Sequence, residues 1–193
     1  MLALTVPVER TPVHRREVRF QGYHRSDGLW DIDAEIADAK HYPLCTKDGR
    51  PVEPGDDVHR MRIRMTLDDQ FVVRALEAVT VQAPFGECQA AVPPMQRMVG
   101  VQVGPGWRRR IDEHLGGVRG CTHLRELLFN MATAAFQTIP HYREAVLRQA
   151  PRADGPPPYM GGCLGWDFDG PVVRRVAPEF YRWRQRSGSG GAA

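Results

Sequence analysis

The sequence predicts a single α+β domain, in which two antiparallel β-hairpins form a sheet and a C-terminal set of helices packs against one face. Apolar and polar residues alternate with a period of two before Pro84, and apolar residues recur every three or four positions after it. A chain of 193 residues can bury an ordinary core without a disulfide or structural metal. We expect the domain to span 1–186, followed by a flexible Gly/Ser/Ala tail over 187–193.

The first hairpin is predicted from residues 16–40, with its turn at Ser26-Asp27-Gly28. A three-residue loop with Gly28 in the left-handed conformation sets Phe20 opposite Ala34, on an apolar face. A two-residue Asp-Gly turn would set Phe20 against Glu35. The hydrophobic register therefore favours the longer loop.

Charged and aromatic side chains divide between the two faces of this hairpin. His24 lies opposite Trp30 on the apolar side, where we interpret it as a packed residue at the sheet edge. Asp31, Asp33 and Glu35 alternate onto the other face. A cation site is one interpretation of these acids, and pairing with neighbouring arginines is the other.

The second hairpin follows a surface connection over 43–57 that is rich in proline, glycine and aspartate. Alternation over 59–67 predicts one strand, with Met61 and Ile63 on its apolar side. Asp68-Asp69 turns the chain, and β-branched residues predict the partner strand up to about Gln82.

Helices are predicted for the rest of the chain, except for a linker over 150–162 and a short strand at 172–173. A short helix is predicted over 94–99. A second helix is predicted over 107–115, where Gly116-Gly117 ends it. The longest helix is predicted over 122–139, and Pro140 closes or kinks it.

Composition narrows the classes of function. The formal net charge is only +3, and arginines alternate with acids, which argues against a nucleic-acid-binding protein. No run of 18 apolar residues predicts a membrane span, and proline and charge follow the N-terminus too closely for a signal peptide. We expect a cytoplasmic protein with reduced thiols, because Cys45, Cys88, Cys121 and Cys163 are too sparse for a disulfide scaffold.

The clearest candidate for a chemical site is Cys121 with His123, where a glycine turn leads into the longest helix. Free backbone N–H groups at a helix start stabilise a thiolate, which can act as a metal ligand or as a nucleophile. The plain structural alternative is a small buried cysteine, an N-cap at Thr122 and a surface histidine. Cys-x-His alone is not a zinc signature, because closed zinc sites pair two such groups.

Distant residues can complete a metal site. Cys88 in "PFGEC" and Cys163 in "MGGCLGW" are predicted in loops. Cys121 and Cys163 directly follow glycine and Cys88 is one residue further from it, so low backbone bulk permits close approach to an ion. His59 begins a strand on its apolar side and is a reserve ligand. Cys45 is the least favoured of the thiols. We expect zinc or an iron–sulfur cluster at this site, with Cys88, Cys121, His123, Cys163 and His59 as candidate ligands.

Motifs for other chemistries are missing from the sequence. The glycines of "VGVQVGPGW" do not have the spacing of a phosphate-binding loop, and no Gly-x-Ser-x-Gly, His-Glu-x-x-His or paired Cys-x-x-Cys occurs.

Several segments in combination resemble the bacterial domain-of-unknown-function family DUF2889, over about residues 10–183. The segments are "GYHRSDGLWDIDAEIADAK", "VHRMRIRMTLDD", "PFGEC" and "GCTHLRELLFNMATAAFQT". This resemblance implies domain limits and brings no reaction with it. A weaker topological similarity is to iron–sulfur cluster assembly scaffolds, and it would give their cysteine roles to Cys88, Cys121 and Cys163. The extra N-terminal hairpin departs from that pattern.

Three hypotheses of function follow. The first is a metal-binding or thiol-bearing protein with its site at the start of the long helix. The second is an enzyme that acts on a small molecule through a Cys121 thiolate, with His123 as acid or base. The third is an accessory subunit that binds a protein partner through its arginine-rich and aromatic C-terminal region, including Trp183 and Arg184.

Overall fold

A computed structural model describes residues 8–149, 155–157 and 159–183, and a four-stranded antiparallel sheet is its largest element. The strands are β1 (His14–His24), β2 (Trp30–Lys40), β3 (Leu44–Cys45), β4 (Pro51–Val52), β5 (Asp57–Leu67) and β6 (Val73–Gln82). The large sheet has the order β1-β2-β5-β6, and β3 pairs with β4 within the connection predicted over 43–57.

The predicted register of the first hairpin is confirmed. Phe20 pairs with Ala34 and His24 with Trp30. Gly28 has a φ of 84°, and the N–H of Arg25 donates to the carbonyl of Leu29 at 2.9 Å, which closes the three-residue loop. The sheet faces are therefore those expected from the sequence.

One face of the sheet is buried beneath the helices and the other carries paired charges. The buried face holds Trp30, Ile32, Ala34 and Ile36 of β2 and Met61, Ile63, Met65 and Leu67 of β5. On the other face Arg64 binds Asp33 at 2.8 Å, and Arg60 binds Glu35 at 2.6 Å. Of the two interpretations of these acids, pairing with arginine is thus the one observed.

The described helices are α1 (Trp107–Leu115), α2 (Thr122–Ala145) and α3 (Pro171–Val176), with 3₁₀ helices at Gly86–Ala91, Pro93–Met98, Gly117–Arg119, Leu164–Trp166 and Pro178–Phe180. The apolar face of the sheet is covered by helices as predicted, chiefly by α2 and by the 3₁₀ helix Pro93–Met98, and α1 packs on α2. None of the helices in the described ranges combines the length and apolarity needed to cross a membrane.

Two predictions about helix and strand limits were wrong. The long helix does not end at 139 but continues through Pro140 to Ala145. Its last turn is held by Tyr142, whose ring lies 5.7 Å from that of Trp30, and this packing offsets the one hydrogen bond that proline removes. The strand expected at 172–173 is the helix α3, because Pro171 occupies a first-turn position where proline is favourable.

Residues 150–154 and 158 of the predicted linker and the whole predicted tail lie outside the described residues.

Candidate functional site

A buried carboxylate lies at one end of the sheet face that contacts the helices. Asp38 follows Ile36 on the inward side of β2, and the residue is only 3% exposed. The apolar residues of this face end at Ile36, and polar side chains from β1, β5 and α2 surround Asp38. This end of the sheet is the candidate site.

Strand β1 holds the carboxylate in place. Arg16 is the cross-strand partner of Asp38, and its Nε and Nη2 donate to Oδ1 and Oδ2 at 2.7 and 2.8 Å. Nε2 of His14 lies 3.0 Å from Oδ1. Arg16 also reaches Glu126 of α2 at 2.7 Å and so joins the sheet to the helix.

Two histidines meet the same carboxylate from the other side. Oδ2 of Asp38 lies 3.3 Å from Nε2 of His123 on α2 and 3.6 Å from Nδ1 of His59 on β5. The two imidazole rings are 4.1 Å apart between centroids. These three residues offer one ligand atom each, all within 4.8 Å of one another, as a group that could hold a metal ion.

Cys121 contacts His123 at the ring nitrogen that does not face Asp38. It is the N-cap residue of α2, and its Sγ is 3.8 Å from Nδ1 of His123 and 3.9 Å from Sδ of Met61. The helix starts as predicted, although the capping position is Cys121 rather than Thr122. Both ring nitrogens of His123 are therefore in contact, one with a sulfur and one with a carboxylate oxygen.

Burial and neighbouring charge set the protonation states. Burial lowers the pKa of His59 to about 4, and the charge of His123 acts in the same direction, against Asp38. Burial alone would raise the pKa of Asp38, but hydrogen bonds from Arg16 and His14 outweigh it and the net pKa is lowered. At neutral pH the site therefore holds a carboxylate beside a neutral His59.

The pKa values of Cys121 and His123 are shifted in opposite directions. The hydrogen bond to Cys121 raises the pKa of His123 above its usual value, despite burial. Burial acts to raise the pKa of Cys121, but the contact with His123 and the backbone N–H of Leu124 lower it further than burial raises it. This is the pattern of a thiol that shares its proton with an imidazole.

The other thiols that the sequence suggested lie elsewhere. Cys88 is half-buried in the 3₁₀ helix Gly86–Ala91, and Cys163 and Cys45 are exposed. Within the described ranges, Cys88 and Cys163 belong to no group of three candidate ligands within 4.8 Å. The structure thus brings together three of the five predicted metal ligands, Cys121, His123 and His59.

Asp38 was missed by the sequence reasoning, although a signal for it exists. Extending the confirmed hairpin register by one more inward position past Val18 and Ile36 pairs Arg16 with Asp38. An acid in a core position opposite an arginine is unusual, because charged residues are rarely buried unless they are paired.

A family model described as "Protein of unknown function (DUF2889)" matches residues 14–137. The chain belongs to the DUF2889 family. The matched range of this DUF2889 protein contains Asp38, His59, Cys121 and His123, whereas Cys163 lies beyond it. Searches among curated proteins and among solved structures gave no match, so the similarity to iron–sulfur scaffolds has no support from them.

Proposed function

We propose that this DUF2889 protein binds one divalent transition-metal ion through Oδ2 of Asp38, Nδ1 of His59 and Nε2 of His123. The observation that carries the proposal is the convergence of these atoms, with Oδ2 at 3.3 and 3.6 Å from the two nitrogens. Ligand atoms about 2.1 Å from a tetrahedral ion are roughly 3.4 Å apart, so the spacing suits a shared ion.

Hydrogen-bond geometry supports the same interpretation. Neither imidazole makes a hydrogen bond of good geometry to Asp38 in the described part of the chain, although both nitrogens are near its carboxylate. His59 is neutral at pH 7, and a neutral imidazole is the form that binds metal. One ligand atom from each of three residues thus lies close to the other two, where a shared cation would stabilise all three.

The residues around the ligands are those that a metal site requires. Arg16 and His14 fix the orientation of Asp38, and Cys121 contacts the ring nitrogen of His123 that faces away from Asp38. Such outer contacts set the tautomer and orientation of ligands. When Sγ of Cys121 accepts a hydrogen bond from Nδ1–H, the ring proton is on Nδ1 and Nε2 of neutral His123 keeps its lone pair for the ion.

The donor set also indicates the class of metal and its role. Two histidines and one carboxylate favour iron(II), zinc or a similar ion over calcium or magnesium. Three protein ligands leave coordination positions open for water or a small-molecule substrate, as in catalytic rather than structural centres. A metal-dependent reaction on a small molecule is therefore the function that this geometry supports best.

The proposal is tested by metal titration of protein that has been treated with a chelator. Cobalt(II) binding followed by visible absorption should give one ion per chain, displaced by zinc. Asp38→Asn, His59→Gln and His123→Gln should each weaken binding about 100-fold or more. His41→Gln, at an exposed position just after β2, should leave binding unchanged.

Other outcomes decide against the proposal. If no cobalt, zinc or iron binds, or if the three variants bind as the unsubstituted chain does, the site is not a metal centre. If Cys88→Ser and Cys163→Ser abolish binding while His59→Gln does not, the ion is instead held by the thiols that the sequence first suggested.

One observation favours a second candidate, a nucleophilic thiol. Cys121, His123 and Asp38 form a line in which Sγ contacts Nδ1 at 3.8 Å and Nε2 contacts Oδ2 at 3.3 Å. This is the order of nucleophile, base and orienting carboxylate in cysteine hydrolases. In metal-free protein, iodoacetamide should then modify Cys121 faster at pH 7 than the exposed Cys45, and His123→Gln should slow that modification.

Slower labelling of Cys121 than of Cys45, with no effect of His123→Gln, would remove the thiol candidate. It would leave the metal proposal standing, since there the sulfur only orients His123.

A further inference from the structure

The two edge strands of the main sheet differ in whether their outward-facing backbone groups are hydrogen-bonded. The outer edge of β6 is covered, because Val73 exchanges backbone hydrogen bonds with Val101 and Gly100 at 3.0 and 2.8 Å. Further along the strand, side-chain amides of Gln96 and Gln89 donate to the carbonyls of Leu76 and Thr80. Four residues between 89 and 101 thus bond to backbone groups on this edge.

The outer edge of β1 has no such cover in the ranges that the structure describes. Arg25 and Leu29 form a hydrogen-bonded pair next to the turn. In an antiparallel ladder every second residue bonds to the partner strand, so in β1 the odd-numbered residues from Tyr23 to Arg15 direct their N–H and C=O groups towards β2. The intervening residues turn their N–H and C=O groups outwards. They are His14, Arg16, Val18, Phe20, Gly22 and His24, and no backbone or side-chain bond to these groups is formed by a described residue.

An edge strand of 11 residues with free backbone groups is a template for pairing with another strand. Its side chains are mostly exposed, and Val18 at its middle is 40% exposed. We propose that a second copy of this chain covers the edge, by antiparallel pairing of β1 with β1 about a two-fold axis at Val18. The product is a continuous eight-stranded sheet.

The charged residues of β1 favour the register in which the two-fold axis lies at Val18. Centred on Val18, the pairing sets Glu17 opposite Arg19 of the second copy and, by symmetry, Arg19 opposite its Glu17. Opposite charges directly across an antiparallel pair are stabilising. Both residues are exposed on the outer face of the sheet, and Arg19 makes no ion pair with a described residue within 4.0 Å.

Other registers are less favourable. Centring on Glu17 or on Arg19 sets each of these charges against itself, which is destabilising. Centring on Phe20 pairs Glu17 with Tyr23 and forms no ion pair. Centring on Arg16 leaves only five residues of each copy, 14–18, in the ladder, because the strand begins at His14.

The helix above β1 suits an interface as well. Glu126 of α2 contacts Arg16, so this flank of the helix lies over the free edge. Asn130 and Gln137 follow on the same stripe, and both are exposed and uncharged. Charged residues are depleted at the centres of interfaces, so this stripe is compatible with approach of a second α2.

Cysteine cross-linking tests the register directly, in protein with Cys45→Ser and Cys163→Ser. Val18→Cys lies on the axis, where paired Cα atoms are about 5.5 Å apart, within the range for a disulfide. Diamide, which oxidises two thiols to a disulfide, should link Val18→Cys chains into covalent dimers. Arg15→Cys is the matched control, because it faces position 21 of the second copy and should not cross-link.

Charge-reversal variants test the dimer and its register without the use of an oxidant. Sedimentation equilibrium should give twice the chain mass of 21.8 kDa. Glu17→Arg or Arg19→Glu alone should weaken the dimer about tenfold or more, the double variant should restore it, and Glu53→Arg on an exposed loop should have no effect. A monomer at every attainable concentration, or a dimer insensitive to both single variants, would overturn the proposal, and either result leaves metal binding unaffected.

Discussion

Arg16 and Asp38 face each other across β1 and β2 as a bidentate ion pair, with contacts of 2.7 and 2.8 Å. The side chain of Asp38 is 4% exposed and that of Arg16 is 36% exposed. A single side chain of the edge strand thus neutralises the buried Asp38 and, through Glu126, ties the strand to α2.

Replacing Arg16 with methionine should destabilise the fold, because it leaves a buried carboxylate without its main partner. We expect a loss of about 2 kcal/mol in the free energy of unfolding, below the range for fully buried pairs because Arg16 is partly exposed. Urea unfolding at pH 7 measures it. Arg15→Met, which removes a more exposed arginine 3.6 Å from Glu17, should cost much less. Equal losses would show that Arg16 has no special role.

Gly22→Ala should disturb the contact between β1 and α2. A Cβ at this position would come within 2.8 Å of Cβ of Thr138, closer than real side chains approach. We expect a loss of about 2 kcal/mol in thermal or urea unfolding. Gly86→Ala is the matched control, because nothing lies within 4 Å of an added Cβ there. No loss on Gly22→Ala would mean that the strand and helix are further apart than described.

Neutral His59 should make stability depend on pH. Its pKa is about 4 in the folded chain and about 6.5 when unfolded, so the unfolded chain binds the extra proton between these values. The stability contributed by neutral His59 is complete above about pH 6.5 and is lost as the pH falls towards 4. The difference in free energy of unfolding between the unsubstituted chain and His59→Gln, in metal-free buffer, should change in this window. A constant difference from pH 7 to 4 contradicts it.

Asp68, at the β5–β6 turn, should contribute stability that is also lost in acid, but over a lower pH range than that of His59. Burial acts to raise its pKa, but the N–H groups of Val72 and Gln70 and the side chain of Arg74 lower it below 3.8. Stability from this carboxylate is therefore complete above about pH 4 and is lost as the pH falls through the folded pKa. Asp68→Asn should cost about 1 to 2 kcal/mol at pH 7. That cost should shrink in acid, and Asp48→Asn on an exposed turn should show neither effect.

The sheet and its register were predictable because they follow from local rules. A loop of fixed length and the alternation of Phe20, Ala34 and Ile36 leave one register that buries the apolar side chains. The continuation of α2 past Pro140 was not predictable, because it depends on the distant packing of Tyr142 against Trp30. Tertiary contact here outweighed a local helix-breaking signal.

The candidate site was predictable only in part for the same reason. Cys121 and His123 are neighbours in sequence, and the helix start marks them. Their meeting with His59 and Asp38 depends on how α2 crosses the sheet, which no local pattern encodes. The glycine setting shared by Cys88 and Cys163 reflects loop conformation and does not indicate which loops meet.

The three proposed donors come from β2, β5 and α2, and Arg16 adds β1, so the ligand set is complete only when nearly the whole domain has folded. An ion held there would bind the native chain and not the unfolded one, and would raise the melting temperature in proportion to the logarithm of its free concentration. Calorimetry at graded zinc concentrations would then serve as an affinity assay that needs no knowledge of any substrate.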